Sequence, residues 1–184
     1  QNQDKQQRGE MPIKKIDTIK ANIGEIKYSG VFDYDGLYKL VTTWFRHHLF
    51  KLYETYKHKV GEAGVEIELS WKGERDETEF IRFEITADSH FYEVTDIEVV
   101  REGKKIKLQK GRFTLMMNCA VVLDWGKMYE RSAFWIRLFN FMREYVLGRS
   151  VAIMWLDKVY YESYRLHTEI KKFLKMEAGS SAYA

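Results

Sequence analysis

The residues that could do chemistry are few, and their spacing does not suit it. Five histidines, His47, His48, His58, His90 and His167, are scattered along the chain, and only two of them adjoin. Neighbouring residues point to different sides of a helix, so His47 and His48 cannot share a metal in the i, i+4 manner. The patterns HExxH, Cys-x-x-Cys, Gly-x-Ser-x-Gly and the Gly-rich phosphate loop are absent. The sequence therefore carries no legible catalytic residue, metal site or cofactor site. Asp33 and Asp35 form a pair of carboxylates, but they stand directly before a helical run. There they can accept bonds from unpaired amides and favour the positive helix end, so capping is the expected role. The single cysteine, Cys119, lies in an alternating apolar run and reads as a small buried hydrophobe.

The one charged constellation is basic. Arg101, Lys104, Lys105, Lys107, Lys110 and Arg112 crowd one hairpin, and only Glu102 opposes them between 101 and 112. A phosphate-rich partner such as RNA, or a ribonucleoprotein, suits this patch. The competing use is structural, because lysines on a short edge strand also prevent edge-to-edge aggregation.

A chain of 184 residues fits one domain with short tails, long enough to bury a core without staples. The expected division is a loose tail at 1–10, one α+β domain at 11–177 and a second loose tail at 178–184. A hydrophobic fraction of 45% with 31% charged residues belongs to a globular chain, and a net charge of +3 permits nucleic-acid binding without arguing for it. Aromatics reach 15%, which fits a core filled by large rings or an aromatic cavity. One cysteine and no signal-peptide pattern suggest a reducing, cytoplasmic setting.

The elements that must position these residues follow an order: a strand and a long helix, about five or six antiparallel strands in all, then two more helices. Glu25 to Phe32 reads as a short strand. Leu37, Leu40, Val41, Trp44, Leu49 and Leu52 recur at helical spacing, widened by Phe45, Tyr53 and Tyr56, and predict a helix running to about Val60 and ending at Gly61. Val65, Ile67, Leu69 and Trp71 alternate with polar residues, and Gly73 to Asp76 reads as a turn. Ile81 to Ile85 and Phe91 to Val100 read as two strands, and Lys105 to Leu108 as a short partner. After Gly111, apolar residues from Phe113 to Leu123 alternate over eleven positions, so that strand should lie well inside the sheet. Residues 132–147 form a helix apolar around more than half its girth, fit for the core or for a membrane surface with its arginines snorkelling. Gly148 breaks that run, and a last helix spans about Val151 to Met176, with Val159, Ser163, Leu166, Ile170, Phe173 and Leu174 on one stripe. Trp44, Leu115, Met117 and Leu166 are the expected core anchors.

Three passages carry a resemblance: Tyr28-Ser-Gly30-Val-Phe-Asp33-Tyr-Asp35-Gly-Leu37-Tyr38, Val122-Leu-Asp124-Trp125 and Leu166-His-Thr-Glu-Ile170-Lys-Lys-Phe173-Leu174. Over about residues 24 to 176 the chain resembles a group of small uncharacterised archaeal proteins. The resemblance implies an archaeal, cytoplasmic origin and no particular activity. The order of elements is also similar to the helix-grip architecture of START-like proteins, in which a curved sheet wraps a long terminal helix around a cavity for an apolar ligand. The chain departs from it by an extra helix before the last one, and by a first helical region that reads as one helix rather than two.

Three functions remain open at this stage. The first is a non-enzymatic binding module, directed to RNA, a ribonucleoprotein or a protein partner through the 101–112 hairpin. The second is a carrier of an apolar small molecule between sheet and C-terminal helix, with peripheral membrane association through helix 132–147 as a related possibility. The third is an enzyme whose acid and base meet only in the fold.

Overall fold

A computed structural model describes residues 18–61, 64–101, 104–123, 125–126, 137, 141 and 148–176. Its elements are β1 (Thr18–Phe32), α1 (Tyr34–His47), β2 (Lys51–Gly61), β3 (Gly64–Asp76), β4 (Ile81–Arg101), β5 (Lys104–Leu123) and α2 (Gly148–Phe173). The five strands form one antiparallel sheet in the order β1-β5-β4-β3-β2, which bears out the α+β class. Both helices pack on one face of it.

The first helix begins as its residues dictate. Asp33 is the N-cap, and its Oδ1 accepts from the Gly36 amide at 2.8 Å. Leu37, Val41, Trp44 and Phe45 are buried against the sheet. The helix does not, however, continue to Val60: it ends at His47, and the residues expected in its second half form β2. The stop is a Schellman motif. The Phe50 amide donates to the Phe45 carbonyl at 2.9 Å and the Leu49 amide to the Arg46 carbonyl at 3.1 Å. The left-handed position this motif needs is held by Leu49, at φ 60°, rather than by the usual glycine. The Phe45 and Phe50 rings then meet at 5.8 Å, the apolar contact that accompanies such caps.

Other boundaries also move. Gly73 to Asp76 is not a turn but the end of β3, and the chain reverses at 77–80, where Thr78 Oγ1 accepts from the Phe80 and Ile81 amides. The two strands read at 81–85 and 91–100 are one strand of 21 residues, kinked by a bulge between Tyr92 and Thr95. Likewise, 105–108 and 113–123 are parts of one 20-residue strand, β5. It lies between β1 and β4 as far as Gln109, but from Leu108 to Lys104 only β4 pairs with it, so Lys104, Lys105 and Lys107 lie on the unpaired edge of a long strand rather than on a separate short one. The helix expected at 132–147 falls outside the described residues except Arg137 and Phe141, both helical and exposed.

The core lies between the sheet and the two helices. Phe83, Ile85, Phe91, Phe113, Leu115, Met117 and Val121 of β4 and β5 are almost fully buried, as are Val159, Leu166 and Ile170 of α2. The four expected anchors, Trp44, Leu115, Met117 and Leu166, are all buried. Cys119 is buried too, beside Ser163 of α2 and the backbone of Ala21, and burial pushes the thiol up to about 11 against the opposing pull of those two neighbours. At the other end of the core, Arg75 forks onto Glu162 at 2.7 and 2.8 Å and donates to the His48 carbonyl at 2.8 Å. Its guanidinium also lies over the Phe50 ring at 4.4 Å. This one side chain thus ties β3 to α2 and to the end of α1. Among the described residues, no helix is long and apolar enough to cross a membrane.

Candidate nucleic-acid interface

The strands β4 and β5 are the longest in the sheet because their alternation of apolar and polar residues continues past the ends of their neighbours. Pairing with β1 stops at Phe32–Gln109, and pairing with β3 stops at Val65–Val94. From Ile97–Leu108 to Arg101–Lys104 the two strands pair only with each other. They therefore extend as a two-stranded ribbon for about 14 Å, at about 3.4 Å per residue.

All six basic residues read from the sequence lie on this ribbon or at its root. Arg101 and Lys104 are register partners at the tip, and Lys105 pairs with Val100. Lys107 stands opposite Glu98, Lys110 opposite Thr95, and Arg112 opposite Tyr92. Lys107, Lys110 and Arg112 are exposed. Arg112 is already engaged, donating from Nη2 to Glu93 Oε1 at 2.7 Å. Lys107 and Lys110 have no ion pair among the described residues. The fold also places acids close by that the window 101–112 hid: Glu93, Asp96 and Glu98 all lie on the facing strand. The root is pinned to the domain by Gln109. Its Oε1 accepts from the Tyr34 amide at 3.1 Å, and its Nε2 donates to Asp96 Oδ1 at 3.1 Å.

A second polar constellation escapes sequence reading. On the sheet face away from the helices, Ser70 and Asp88 are register partners, as are His90 and Thr114. With Glu68 and Met116 they line an open groove of about 260 Å³. Ser70 Oγ donates to Asp88 Oδ1 at 2.5 Å, and the His90 ring stacks on Tyr92 at 3.9 Å. The only sequence signal is the polar half of each alternation. Which polar residues meet depends on strand order and register.

The remaining histidines are dispersed. His48 stacks on Trp44 at 3.9 Å, His58 lies on β2 and His167 is buried beneath β1. Among the described residues, no three His, Cys, Asp or Glu side chains group as a metal site would need. The space between sheet and α2 is occupied by the side chains of the core named above. Neither a protein-family model nor a curated protein matches the chain.

Proposed function

We propose that the protein is a binding module that engages RNA, free or within a ribonucleoprotein, through the β4–β5 ribbon. The observation that carries this reading is the ribbon's reach beyond both neighbouring strands, with Lys107 exposed on it and Lys110 exposed at its root, neither with an ion-pair partner among the described residues. A projecting two-stranded ribbon can approach a nucleic-acid backbone without steric conflict with the rest of the domain. Lysines along it neutralise phosphates, and the released counterions drive association. Shape and backbone contact, rather than base reading, is the mode expected of such a surface toward folded RNA. Glu93, Asp96 and Glu98 moderate the patch, so affinity should be modest and strongly dependent on salt.

The test is fluorescence anisotropy with labelled single-stranded and hairpin RNA across a salt series. Wild-type protein should bind at low ionic strength. Lys107→Gln with Lys110→Gln should weaken binding at least tenfold and lower the slope of log affinity against log salt by about 1 to 2. Thermal stability should hold nearly constant, since exposed substitutions usually stay within about 0.5 kcal/mol. No binding by the wild type at low salt would refute the reading.

A further inference from the structure

The sheet has two edges, and they are built differently. The β1 edge is broken by a bulge between Asn22 and Gly24, where Gly24 takes φ 145°. Such interruptions keep an edge from templating another strand. The β2 edge has no such device. Its pairing with β3 runs from Lys51–Glu74 to Gly61–Gly64 without a shift of register, and it contains no proline. Residues 53–60 are exposed on both faces of the strand. Tyr53, Tyr56 and Val60 are 44%, 56% and 72% exposed, an unusual load of apolar surface for one edge.

The order of residues along β2 says what suits this edge. In an antiparallel pairing of two copies about a two-fold axis perpendicular to the sheet, same-face residues meet, so i and j have the same parity. An axis through Tyr56 brings all eleven residues of β2 into the pairing, because Tyr56 is the middle of Lys51–Gly61. On the helix side, Leu52 then faces the partner's Val60, Glu54 the partner's His58, and Tyr56 the partner's Tyr56. On the other side, Tyr53 faces the partner's Lys59 and Thr55 the partner's Lys57. Apolar residues meet apolar ones, an acid meets a histidine and a ring meets an ammonium group, with no like-charge pair. Moving the axis by one residue destroys this match. About Thr55, Lys51 faces the partner's Lys59; about Lys57, that lysine faces its own copy. Lysines on an edge usually discourage pairing, but here they are offset within the sheet. Lys57 pairs with Glu68 at 3.3 Å and Lys59 stands opposite Glu66.

We infer that β2 is a self-association edge, through which two copies of this chain join their sheets into one of ten strands by a closed two-fold contact. The same patch serves both copies, so the assembly stops at two. The partner is a second copy rather than an unrelated peptide because one register alone satisfies the whole strand.

Cross-linking of the full chain reads that register directly. The only native cysteine, Cys119, is buried, so a cysteine placed on β2 reports alone. Tyr56→Cys places two thiols across the axis, where paired strand positions lie about 4.5–5.5 Å apart, within disulfide reach. Mild oxidation should convert this variant almost fully to a covalent dimer, whereas Thr55→Cys and Lys57→Cys should stay mostly monomeric. Sedimentation equilibrium of the wild type should show a dimer that dissociates on dilution. Tyr56→Lys, with like charges on the axis, should give a monomer with an unchanged circular dichroism spectrum and an unfolding midpoint that no longer rises with protein concentration, as the wild type's should. A wild type that stays monomeric at high micromolar concentration would overturn the proposal, as would cross-linking that favours Thr55→Cys or Lys57→Cys.

Discussion

Leu49 is a leucine where the backbone asks for glycine. Its φ of 60° lies in the left-handed region, and its side chain is 81% exposed, so it gains nothing from packing in return. Leu49→Gly should therefore stabilise the fold by about 1 kcal/mol, read as a rise of roughly 2–4 °C in melting temperature. A fall would mean that the looser unfolded chain outweighs the relieved strain. The same Schellman geometry closes α2: Met176 donates to the Lys171 carbonyl at 2.9 Å, and Lys175 takes φ 54°. The end of α1 was not visible in the sequence, because a glycine marks such a position to a reader and a leucine does not, whereas α2 ends close to the expected Met176. His167 tells a second residue-scale story. It is 4% exposed, packs against Gly24 of β1, and its Nε2 has no hydrogen-bond partner among the described residues. Burial first, and then Lys171, lower its pKa below the ordinary 6.5. The folded protein thus favours the neutral ring, while the unfolded chain binds its proton near 6.5. Stability should be complete above that value and decline as pH falls toward the lower folded value. Melting temperatures between neutral pH and about pH 5 should fall less steeply for His167→Phe than for the wild type.

At the scale of elements, the decisive pairing is between α1 and β3. Gly73 lies in the last third of β3, paired with both Leu52 and Ile85, and a Cβ added there would stand 2.5 Å from the Phe45 ring. The glycine lets a fully buried phenylalanine of α1 lie directly on the sheet. Gly73→Val should force the two elements apart and cost on the order of 2–3 kcal/mol, as overpacking does. Chemical denaturation would show it as a lower midpoint, and an unchanged midpoint would mean that α1 shifts freely over the sheet. The sequence offered Gly73 as a turn signal, which is the commoner meaning of a glycine followed by polar residues. The strand reading needs knowledge of what lies above it. In the same way, Tyr53 and Tyr56 continued the apolar spacing of α1 only by coincidence. Lys51 to Gly61 carries two tyrosines, a threonine and a valine, residues that suit a pleated strand, and the motif at Leu49 releases it to be one.

For the whole molecule, the position of Cys119 provides a reporter. It lies in β5 between β1 and β4 and beneath α2, and its thiol is pushed up to about 11. The reactive thiolate is therefore scarce and enclosed in the folded state. Alkylation by iodoacetamide should be far slower than for a free thiol, and should accelerate with denaturant in parallel with global unfolding. Rapid labelling of native protein would show that α2 opens from the sheet by itself.

The sequence by itself determined the class, the antiparallel alternation of β3, β4 and β5, the capped entry of α1, the buried stripe of α2 and four core anchors. Those features depend on local periodicity and on side-chain chemistry, which any window of the chain displays. Tertiary structure alone decided where α1 stops, that four apparent strands are two long ones, and that β5 is central while its basic end runs free beyond β1. It also decided which charges oppose the lysines, because Glu93, Asp96 and Glu98 reach them only through the β4–β5 register. The physical reason is the same in each case. Strand order, register and the space above a glycine are set by contacts between residues far apart in the chain, and one residue of slip would send every side chain to the other face.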